Sequence, residues 1–485
     1  MSDTNDITLD LRREERLSFG TDEKNSATKE GVDITDVSVS EAQQGAVTDA
    51  VFGEIHEDGP NYRNVGWLGT AVLMMKTQVG LGVLGIPYVL QTLGLVPGII
   101  CLLAVATITT WSDYVVGAFK LNHPEVYGVD DVGFLLFRGA LGREVIGAAF
   151  WLYMTFVTGS GLLGISIGLN AISEHGTCTA VFVAVATVVT FFLASVQTLG
   201  KISWLGWVGL FSILSALLTL TVSVGVQTRP AEAPQVGPWD KGLVIWGEPS
   251  FTEAISAVST LVFSFAGTPG FFGIVSEMKN PKLYTRSMLL CQTVVTLAYL
   301  TIGIIVYCFC GIYVASPALG SAGGLMKKVC YGLALPGLFI TATIYTHLPA
   351  KYVFLRVMRG SAHLTRNSFK HYAVWFSCVL GCVLFSYVVA SAIPVFGGLV
   401  GLIGALFGTL LSMQLMGGMW LYDNWVYRHT KKDFAYRFLL GFNIFIIIIG
   451  TFLMIAGTYG SIVGIIDSTQ TSAAGSPWSC ADNSK

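Results

Sequence analysis

The sequence predicts an all-α integral membrane protein of eleven transmembrane helices, built as two inverted five-helix halves plus one extra helix. Of its 485 residues, 53% are hydrophobic and 12% are charged, whereas soluble domains carry about 25% charged residues. Apolar runs of about 20 residues, the length that crosses a bilayer as a helix, recur along the chain. They lack the alternating pattern of membrane strands. Glycine and proline interrupt the first and the sixth run, which indicates two related halves.

The apolar runs also set the domain boundaries. We expect a disordered cytoplasmic tail over residues 1–60, because this segment is acidic and has few large apolar residues. A transmembrane domain over residues 61–470 and a short extracellular tail over residues 471–485 follow. A short interfacial helix is expected at residues 130–142. The predicted spans cover residues 66–93, 95–119, 145–172, 179–197, 203–226, 252–276, 287–312, 328–350, 371–392, 394–416 and 437–465.

The lysines and arginines between the spans predict the orientation. With the N-terminus inside, sixteen of them lie on the cytoplasmic side and five on the outside, as the positive-inside rule requires. Cys178 and Cys480 then share the oxidising side and could form a disulfide. Because neither spacing nor sequence fixes the connectivity, an unbonded pair is the expectation.

The first span contains Lys-Thr-Gln-Val-Gly-Leu-Gly-Val-Leu-Gly-Ile-Pro at residues 76–87. Glycine loses backbone entropy in a helix, and proline removes a hydrogen bond. We therefore expect the span to break near Val79–Gly82 and to expose peptide groups, which a membrane tolerates only beside protein or a watery cavity. The alternative is a straight helix whose glycines allow close packing.

The sixth span carries a matching interruption, with Gly267, Pro269 and Gly270 in its middle. Spans one and six are an odd number of crossings apart, so two consecutive five-span halves must face opposite ways. In inverted-repeat transporters, paired discontinuous helices of this kind meet halfway across the membrane. The two breaks are therefore expected to form one site.

The chemistry of the two breaks predicts the ligand. The half-helix that starts near Gly82 presents N–H groups to an anion, and free carbonyls around Phe265–Gly267 suit a cation. A free amino acid carries both charges at short distance. Aromatic and apolar side chains favour neutral, bulky substrates, although each aromatic ring could instead serve ordinary packing. The expected substrate-binding residues are Val79, Gly80, Leu81, Gly82, Val83, Tyr153, Phe156, Phe263, Ser264, Phe265, Ala266, Gly267 and Thr268.

Ionisable and hydroxyl groups inside the spans are candidates for coupling and gating. Lys76 lies about one turn before the first break, where it could respond to a proton, take the place of a sodium ion, or extend to the interface. Glu277 ends span six and could pair with Lys76 to close the cytoplasmic path, or be a solvated helix end. Thr341 and Thr343 in span eight could hold an ion against span one, or bond their own helix.

Asp113 and His347 are further ionisable residues within spans. Asp113 lies near the cytoplasmic end of span two, where an interfacial position is expected. His347 could carry a proton, but beside Pro349 a structural role is the expectation. No metal-type spacing of cysteine and histidine is present, so no metal site is predicted.

The first span and the segment before it resemble a known family. Gly-Pro-Asn-Tyr-Arg-Asn-Val-Gly-Trp at residues 59–67, followed by Met-Lys-Thr-Gln-Val-Gly-Leu-Gly-Val-Leu-Gly-Ile-Pro at residues 75–87, is similar to the amino acid/auxin permease family. The likeness is strongest to the fungal neutral amino acid permeases of the methyltryptophan-resistance type and covers residues 61–470. It implies the leucine-transporter-like fold, a plasma-membrane location and uptake of neutral and aromatic amino acids with protons. No cofactor is implied, and sodium is the less expected coupling ion.

The sequence therefore predicts a secondary active transporter for neutral L-amino acids that works by alternating access. Motifs of ATP-driven pumps and of common hydrolases are absent, so neither a pump nor an enzyme is indicated. No basic aromatic stripe suggests nucleic acid, so the expected partners are an amino acid and the lipid bilayer. Three alternatives remain: an exchanger or facilitator, a sensor that signals through residues 1–60 without transport, and a channel. The channel is disfavoured because no ring of pore charges is evident.

Overall fold

The computed structural model describes residues 48–49, 53–54, 65–197, 199–230, 232–361, 363–364, 368–430, 433–471 and 476–484. Within the predicted tail, residues 1–60, it describes only the strands β1 (Thr48–Asp49) and β2 (Gly53–Glu54), which pair antiparallel. The rest of that predicted tail lies outside the described residues.

Helices make up almost all of the described chain. Ten helical spans are long and apolar enough to cross a membrane, and a shorter apolar helix, Thr179–Ala194, completes the eleven predicted spans among the described residues. The helices are α1 Trp67–Gln78, α2 Ile86–Leu93, α3 Leu95–Asn122, α4 Val129–Phe137, α5 Ala140–Ser173, α6 Thr179–Ala194, α7 Leu199–Val226, α8 Phe251–Phe265, α9 Thr268–Ser276, α10 Tyr284–Cys310, α11 Gly324–Met358, α12 Phe369–Ala392, α13 Phe396–Ile403, α14 Leu415–Asn424 and α15 Phe434–Thr471.

Several boundaries differ from the prediction; the eighth span, for example, ends at Met358 rather than at residue 350. The interfacial helix α4 ends at Phe137 rather than at residue 142, because Arg138 adopts a left-handed conformation (φ 51°) and stops it. Residues 140–142 instead begin the third span. The tenth span continues beyond residue 416 to Asn424, through π-helical turns at Gly404–Gly408 and Leu410–Gln414.

The two interrupted spans lie at the centre of the bundle. In their most apolar 18-residue windows, 94% of the first span and 89% of the sixth span are buried, against 22% of the eleventh. A helix that is apolar and buried all round belongs in the core of a bundle, whereas α15 presents most of its surface outward. The peptide groups freed by the two breaks are therefore enclosed by protein.

Each end of the first span is tied to another segment. We call the side where the span begins, at Trp67, the proximal face, and the side where it ends, at Leu93, the distal face. On the proximal face, the Val65 amide donates to the Glu277 carbonyl oxygen (3.1 Å), and the Lys279 amide donates to the Val65 carbonyl oxygen (2.9 Å). These bonds join the start of span one to the end of span six.

The C-terminal tail folds back onto the distal face. Cys178 and Cys480 form a disulfide between residues 302 positions apart, so the expectation of an unbonded pair is wrong. The Thr179 hydroxyl donates to the Ala481 carbonyl oxygen (2.6 Å), which holds the tail beside the start of α6. The pairing depends on where the tail folds, and the spacing of the cysteines does not predict that position.

Candidate functional site

The first span is broken where the sequence predicts. Helix α1 ends at Gln78, and Val79 leaves the helical conformation with ψ 87°. The Gly80 amide donates to the Gln78 carbonyl oxygen (2.9 Å), which makes a tight turn. A 3₁₀ turn at Gly82–Gly85 then leads into α2.

The break in the sixth span is shorter than expected. Helix α8 ends at Phe265, and the Gly267 amide donates to the Phe265 carbonyl oxygen (2.9 Å). Helix α9 starts at Thr268, so Pro269 and Gly270 lie in its first turn rather than in the break. Proline is tolerated there because the first amides of a helix lack acceptors within the helix.

The two breaks contact each other directly. The Ser264 hydroxyl donates to the Gly82 carbonyl oxygen at 3.0 Å. A Cβ atom added at Gly82 would lie 2.5 Å from the Ser264 Cα atom, and one at Gly267 would lie 2.7 Å from the Thr77 hydroxyl oxygen. Only glycine allows this approach at Gly82, because the opposing atom belongs to the backbone.

Tyrosines from neighbouring helices bind the freed carbonyls. The Tyr299 hydroxyl on α10 lies 2.8 Å from the Gln78 carbonyl oxygen and 2.9 Å from that of Ser264, so its single proton is shared between the two breaks. The Tyr345 hydroxyl on α11 donates to the Thr77 carbonyl oxygen (2.6 Å). Buried peptide groups need such partners.

The predicted aromatic lining is not a single apolar pocket. Tyr153 donates its hydroxyl to the Ala266 carbonyl oxygen, so it is a polar partner of the second break. Phe265 packs on Tyr299 with ring centroids 5.0 Å apart, whereas Phe156 packs on phenylalanines of α12 and of the π-helical segment.

The remaining predicted apolar residues are buried close to the breaks. Val83 is buried in the 3₁₀ turn and Phe263 in the last turns of α8. The Leu81 side chain lies against α5, where a Cβ atom added at Gly164 would approach it to 3.3 Å. These contacts agree with packing and leave direct substrate contact as a prediction.

Lys76 joins the first break to the eighth span. The side chain is fully buried, and its ammonium donates to the Thr341 hydroxyl oxygen (2.6 Å) and to the Val79 carbonyl oxygen (3.2 Å). A Cβ atom at Gly80 would lie 2.8 Å from the same Thr341 oxygen, so Gly80 leaves room for this contact. Thr343, by contrast, donates to the Phe339 carbonyl oxygen of its own helix (2.8 Å).

Glu277 does not pair with Lys76. Its carboxylate contacts the Lys351 ammonium on α11, with side-chain exposures of 3% and 5%. Lys76 is bound deep in the bundle, one turn before the break, and Glu277 follows the last residue of α9 at the proximal face. The predicted pair of Lys76 and Glu277 is therefore wrong, and the cation that pairs with Glu277 at the proximal face is Lys351, from the eighth span.

Asp113 is buried rather than interfacial. The Thr268 hydroxyl donates to one carboxyl oxygen (2.7 Å), and the Gln292 amide nitrogen contacts the other. The Tyr284 hydroxyl also donates to the Asp113 carbonyl oxygen (2.9 Å). Helix α3 continues to Asn122, which places Asp113 about 13 Å inside its end at 1.5 Å per residue.

Comparison with known proteins assigns the family. A family model described as transmembrane amino acid transporter protein matches residues 63–463. The chain belongs to this family. The resemblance to amino acid permeases is thereby confirmed, and the protein is a multi-pass membrane protein of an amino acid transporter family.

Relatives of this transporter match over nearly its whole length. A Fusarium pseudograminearum protein named transmembrane transporter is 32% identical over 465 residues, covering 96% of each chain. The N amino acid transport system protein of Neurospora crassa is 31% identical over 433 residues, covering 88% of this chain and 91% of that one. A solved Na⁺-coupled sialic acid symporter, in a substrate-bound outward-open state, shares the fold with a TM-score of 0.53 and 11% identity, covering 84% of this chain and 93% of that one. The transporter therefore has the predicted leucine-transporter-like fold.

A cavity of about 380 Å³ in the transporter lies on the distal side of the breaks. Gly85 and Thr260 line it, and the Ser264 hydroxyl shares its single proton between the Thr260 carbonyl oxygen (2.8 Å) and the Gly82 carbonyl oxygen (3.0 Å), so the cavity lies within one helical turn of the site. Asn483 of the C-terminal tail lines it as well. In the described part of the chain, no three His, Cys, Asp or Glu side chains are grouped so that they could hold a metal ion.

Sequence reasoning missed several polar residues of the transporter's site. Gln78 is 2% exposed, and neither atom of its amide has a hydrogen-bond partner among the described residues. Tyr299 and Tyr345 could have been found, because a hydroxyl in an apolar span needs an acceptor and helix breaks supply free carbonyls. His347 is buried with its ring centroid 5.3 Å from that of Trp375, which agrees with a structural position.

Proposed function

We propose that this transporter imports neutral aliphatic and aromatic L-amino acids across the plasma membrane in symport with protons. The observation that carries the proposal is the meeting of two helix breaks at Gly82 and Ser264. The 3₁₀ turn and α2 offer N-terminal amides to a carboxylate, and α8 ends with carbonyls that suit an ammonium. A free amino acid presents both groups at once.

The side chains at the breaks favour substrates without a charged side chain. Residues 77–83 and 263–268 are apolar, hydroxyl, amide or glycine residues. The nearby Lys76 ammonium already binds Val79 and Thr341. A charged substrate side chain would lose its water without gaining an ionic partner, which is costly in a buried site. The unpartnered Gln78 amide is available to a polar group of the substrate.

The position of Lys76 supports protons rather than sodium as the coupling ion. Its ammonium binds a carbonyl oxygen of the first break and a hydroxyl oxygen of α11, and such oxygens are the ligands of hard cations. The Lys76 ammonium therefore occupies the position between these two spans that a sodium ion would need. We infer that Lys76 holds the two five-span halves together in place of an ion.

The charge asymmetry and the disulfide support an N-terminus inside and a C-terminus outside. By sequence, sixteen basic residues fall in the segments predicted to be cytoplasmic and five in those predicted to be outside. The disulfide at Cys178 lies on the distal face, and disulfides persist on the oxidising side of a membrane. With this orientation the cavity faces outside, and the Val65–Glu277 contact closes the inside.

Transport in reconstituted vesicles tests the proposal. Labelled leucine and phenylalanine are supplied outside, with an inward proton gradient, with an inward sodium gradient, or with neither. We expect concentrative uptake with the proton gradient alone, and its loss with a protonophore. Competition by all twenty amino acids at two pH values should show inhibition by neutral aliphatic and aromatic ones and little by charged ones.

Four outcomes would change the proposal. Uptake that only equilibrates, regardless of gradient, would indicate a facilitator, and uptake that requires substrate on the other side would indicate an exchanger. Stimulation by sodium alone would contradict both proton coupling and the role given to Lys76. Strong inhibition by lysine or glutamate would contradict the substrate class.

A further inference from the structure

Asp113 lies in a buried polar cluster that is separate from the contacts between the two breaks. The Thr268 hydroxyl donates to one of its carboxyl oxygens (2.7 Å), and the Gln292 amide nitrogen contacts the other. The side chain has no exposed surface and lies on a membrane-spanning helix. The cluster thus connects α3 and α10 to Thr268, the residue at which α9 begins.

Among the residues that the structure describes, no cation forms an ion pair with Asp113. The titratable groups that face it are Tyr284 and Cys291, both on α10, and neither carries a positive charge. Helices α2, α8, α9 and α14, the π-helical turn Leu410–Gln414 and the 3₁₀ turn Pro281–Leu283 also pack against α3. In the described part of the chain none of them, Lys282 included, contributes an ion pair to Asp113. An ionised carboxylate without a counter-ion is costly inside a membrane, so charging this group requires water or a rearrangement of the helices.

The neighbours of Asp113 can form hydrogen bonds with its carboxyl group in either protonation state. The Gln292 amide oxygen is buried and has no hydrogen-bond partner among the residues that the structure describes. Rotating the amide by half a turn brings that oxygen to a protonated carboxyl group, and the opposite orientation offers N–H to a carboxylate. The Thr268 hydroxyl can likewise donate to a carboxylate or accept from a carboxylic acid. Gain or loss of a proton therefore changes the hydrogen bonds at Thr268 without leaving Asp113 unbonded.

We propose that Asp113 binds the co-transported proton and that its protonation controls the position of α9. The assignment rests on the proposed function, because it names the residue that carries the proton of that symport. One O–H bond forms on the carboxylate when a proton arrives from outside, and the same bond breaks when the proton leaves inside. Since Thr268 directly follows the Ala266–Gly267 break, a change in its hydrogen bonds acts on the half-helix next to the substrate.

The isosteric variant Asp113→Asn tests the assignment. Asparagine can accept from Thr268 and donate to the free Gln292 amide oxygen, so it keeps the shape and the bonds of the neutral state. It cannot release a proton. We expect loss of concentrative, proton-driven uptake and a flat pH profile, with exchange of labelled for unlabelled leucine retained in the absence of a gradient. Ser112→Ala is the matched control, because Ser112 is the neighbouring residue on α3 and is also fully buried; it should keep both activities.

The results separate this inference from the proposed function. A wild-type transporter whose uptake ignores the proton gradient contradicts the proposed function itself. A coupled wild type with an equally coupled Asp113→Asn variant overturns only the assignment of the proton. Loss of exchange as well in folded Asp113→Asn also overturns it, because the neutral state must carry substrate. If that variant fails to fold, Asp113→Glu is measured, and an unchanged midpoint in the pH profile of uptake overturns the assignment.

Discussion

The Lys76 Nζ atom lies 2.6 Å from the Thr341 hydroxyl oxygen, so a buried lysine side chain links the first break to the eighth span. Thr341 in turn donates to the Gly337 carbonyl oxygen of its own helix (2.9 Å), which fixes the direction of the hydroxyl. Because Lys76 is part of the chain, its amine cannot leave with the substrate as a bound ion would. The link therefore holds the break in shape.

The first prediction concerns the two partners of this link. Lys76→Met removes the cation and leaves the Val79 carbonyl and the Thr341 hydroxyl without it, so we expect labelled leucine uptake to be lost. Thr341→Val removes one hydrogen bond to a charged group, which contributes about 1.5–3 kcal/mol. We expect a corresponding loss of stability and reduced uptake. Both variants are measured by uptake at matched surface expression and by thermal unfolding.

A threonine elsewhere provides the control. Thr187 is buried in α6, and its hydroxyl donates to the Val183 carbonyl oxygen of its own helix (2.7 Å). Thr187→Val should therefore retain uptake. If Lys76→Met kept uptake with the gradient dependence of the wild type, the Lys76 amine would have no part in the site.

The second prediction tests the close contact of the two breaks. In Gly82→Ala the new methyl carbon would lie 2.5 Å from the Ser264 Cα atom, so the breaks must separate. We expect uptake to be lost while the protein still reaches the membrane. Gly332→Ala is the matched control, because nothing lies within 4 Å of its Cβ position and alanine favours a helix by up to about 1 kcal/mol. Normal uptake by Gly82→Ala would mean that the two breaks need not touch.

The spans and their breaks could be predicted because their signals are local. The length of an apolar run is enough to predict a membrane span. Gly80, Gly82 and Gly267 weaken the helix at their own positions. The exact end of the second break was not predictable in this way. Pro269 marks a helix start as well as a helix stop, and only the structure shows that it belongs to the first turn of α9.

The partners of buried charges could not be predicted, because they depend on how helices pack. Glu277 pairs with Lys351, 74 residues away, and Asp113 meets Gln292, 179 residues away. Which face of a helix meets which neighbour is set by the whole bundle. A single sequence identifies such residues as exceptional for a membrane span but does not connect them.

The third prediction concerns the pair of Glu277 and Lys351 on the proximal face. Removing one partner of a buried ion pair costs about 3–5 kcal/mol, since the other charge loses its compensation. We expect Glu277→Gln and Lys351→Met each to lower the thermal unfolding temperature strongly, and the double variant to recover most of the loss. A double-mutant cycle by thermal unfolding measures this coupling. Additive losses would show that the two side chains do not interact in the folded protein.

The fourth prediction concerns the disulfide between Cys178 and Cys480. It anchors the tail that places Asn483 within hydrogen-bond distance of Asn170 (2.7 Å) and Ser166 (3.1 Å) on α5. Loss of a native disulfide costs about 2–5 kcal/mol in small secreted domains, and we expect a destabilisation of that order here. Reductant should lower the unfolding temperature of the wild type and leave Cys178→Ser unaffected.

A free cysteine is the control for that measurement. Cys378 is partly exposed and unbonded, so Cys378→Ser should keep the response to reductant. The disulfide should also be reducible in intact cells by a reductant that does not cross membranes, if the distal face is outside. A response to reductant that is identical in Cys178→Ser and the wild type would contradict the bond.

The last prediction follows from the carboxyl group of Asp130 on α4. It lines a proximal cavity of about 300 Å³, together with Asp131, Arg143 and Tyr352. Burial, and the negative charge of Asp131 beside it, raise the pKa of Asp130 to about 6. An unfolded aspartate titrates near pH ~4, so between about pH 4 and pH 6 the folded state binds more protons than the unfolded state. The stability contributed by protonated Asp130 is therefore present at acid pH and is lost as the pH rises through about 6.

Asp130→Asn keeps the neutral shape at every pH and should remove this loss. We expect the variant to be more stable than the wild type by about 1–3 kcal/mol at pH 7, with the difference vanishing near pH 4. Thermal unfolding of the detergent-purified proteins from pH 4 to pH 8 measures it. Glu248→Gln, at an exposed acid on the distal side, should change stability by less than about 0.5 kcal/mol throughout. A stability difference for Asp130→Asn that does not vary with pH would contradict this prediction. It would show that Asp130 is ionised in the folded protein across this range and that burial does not affect its charge.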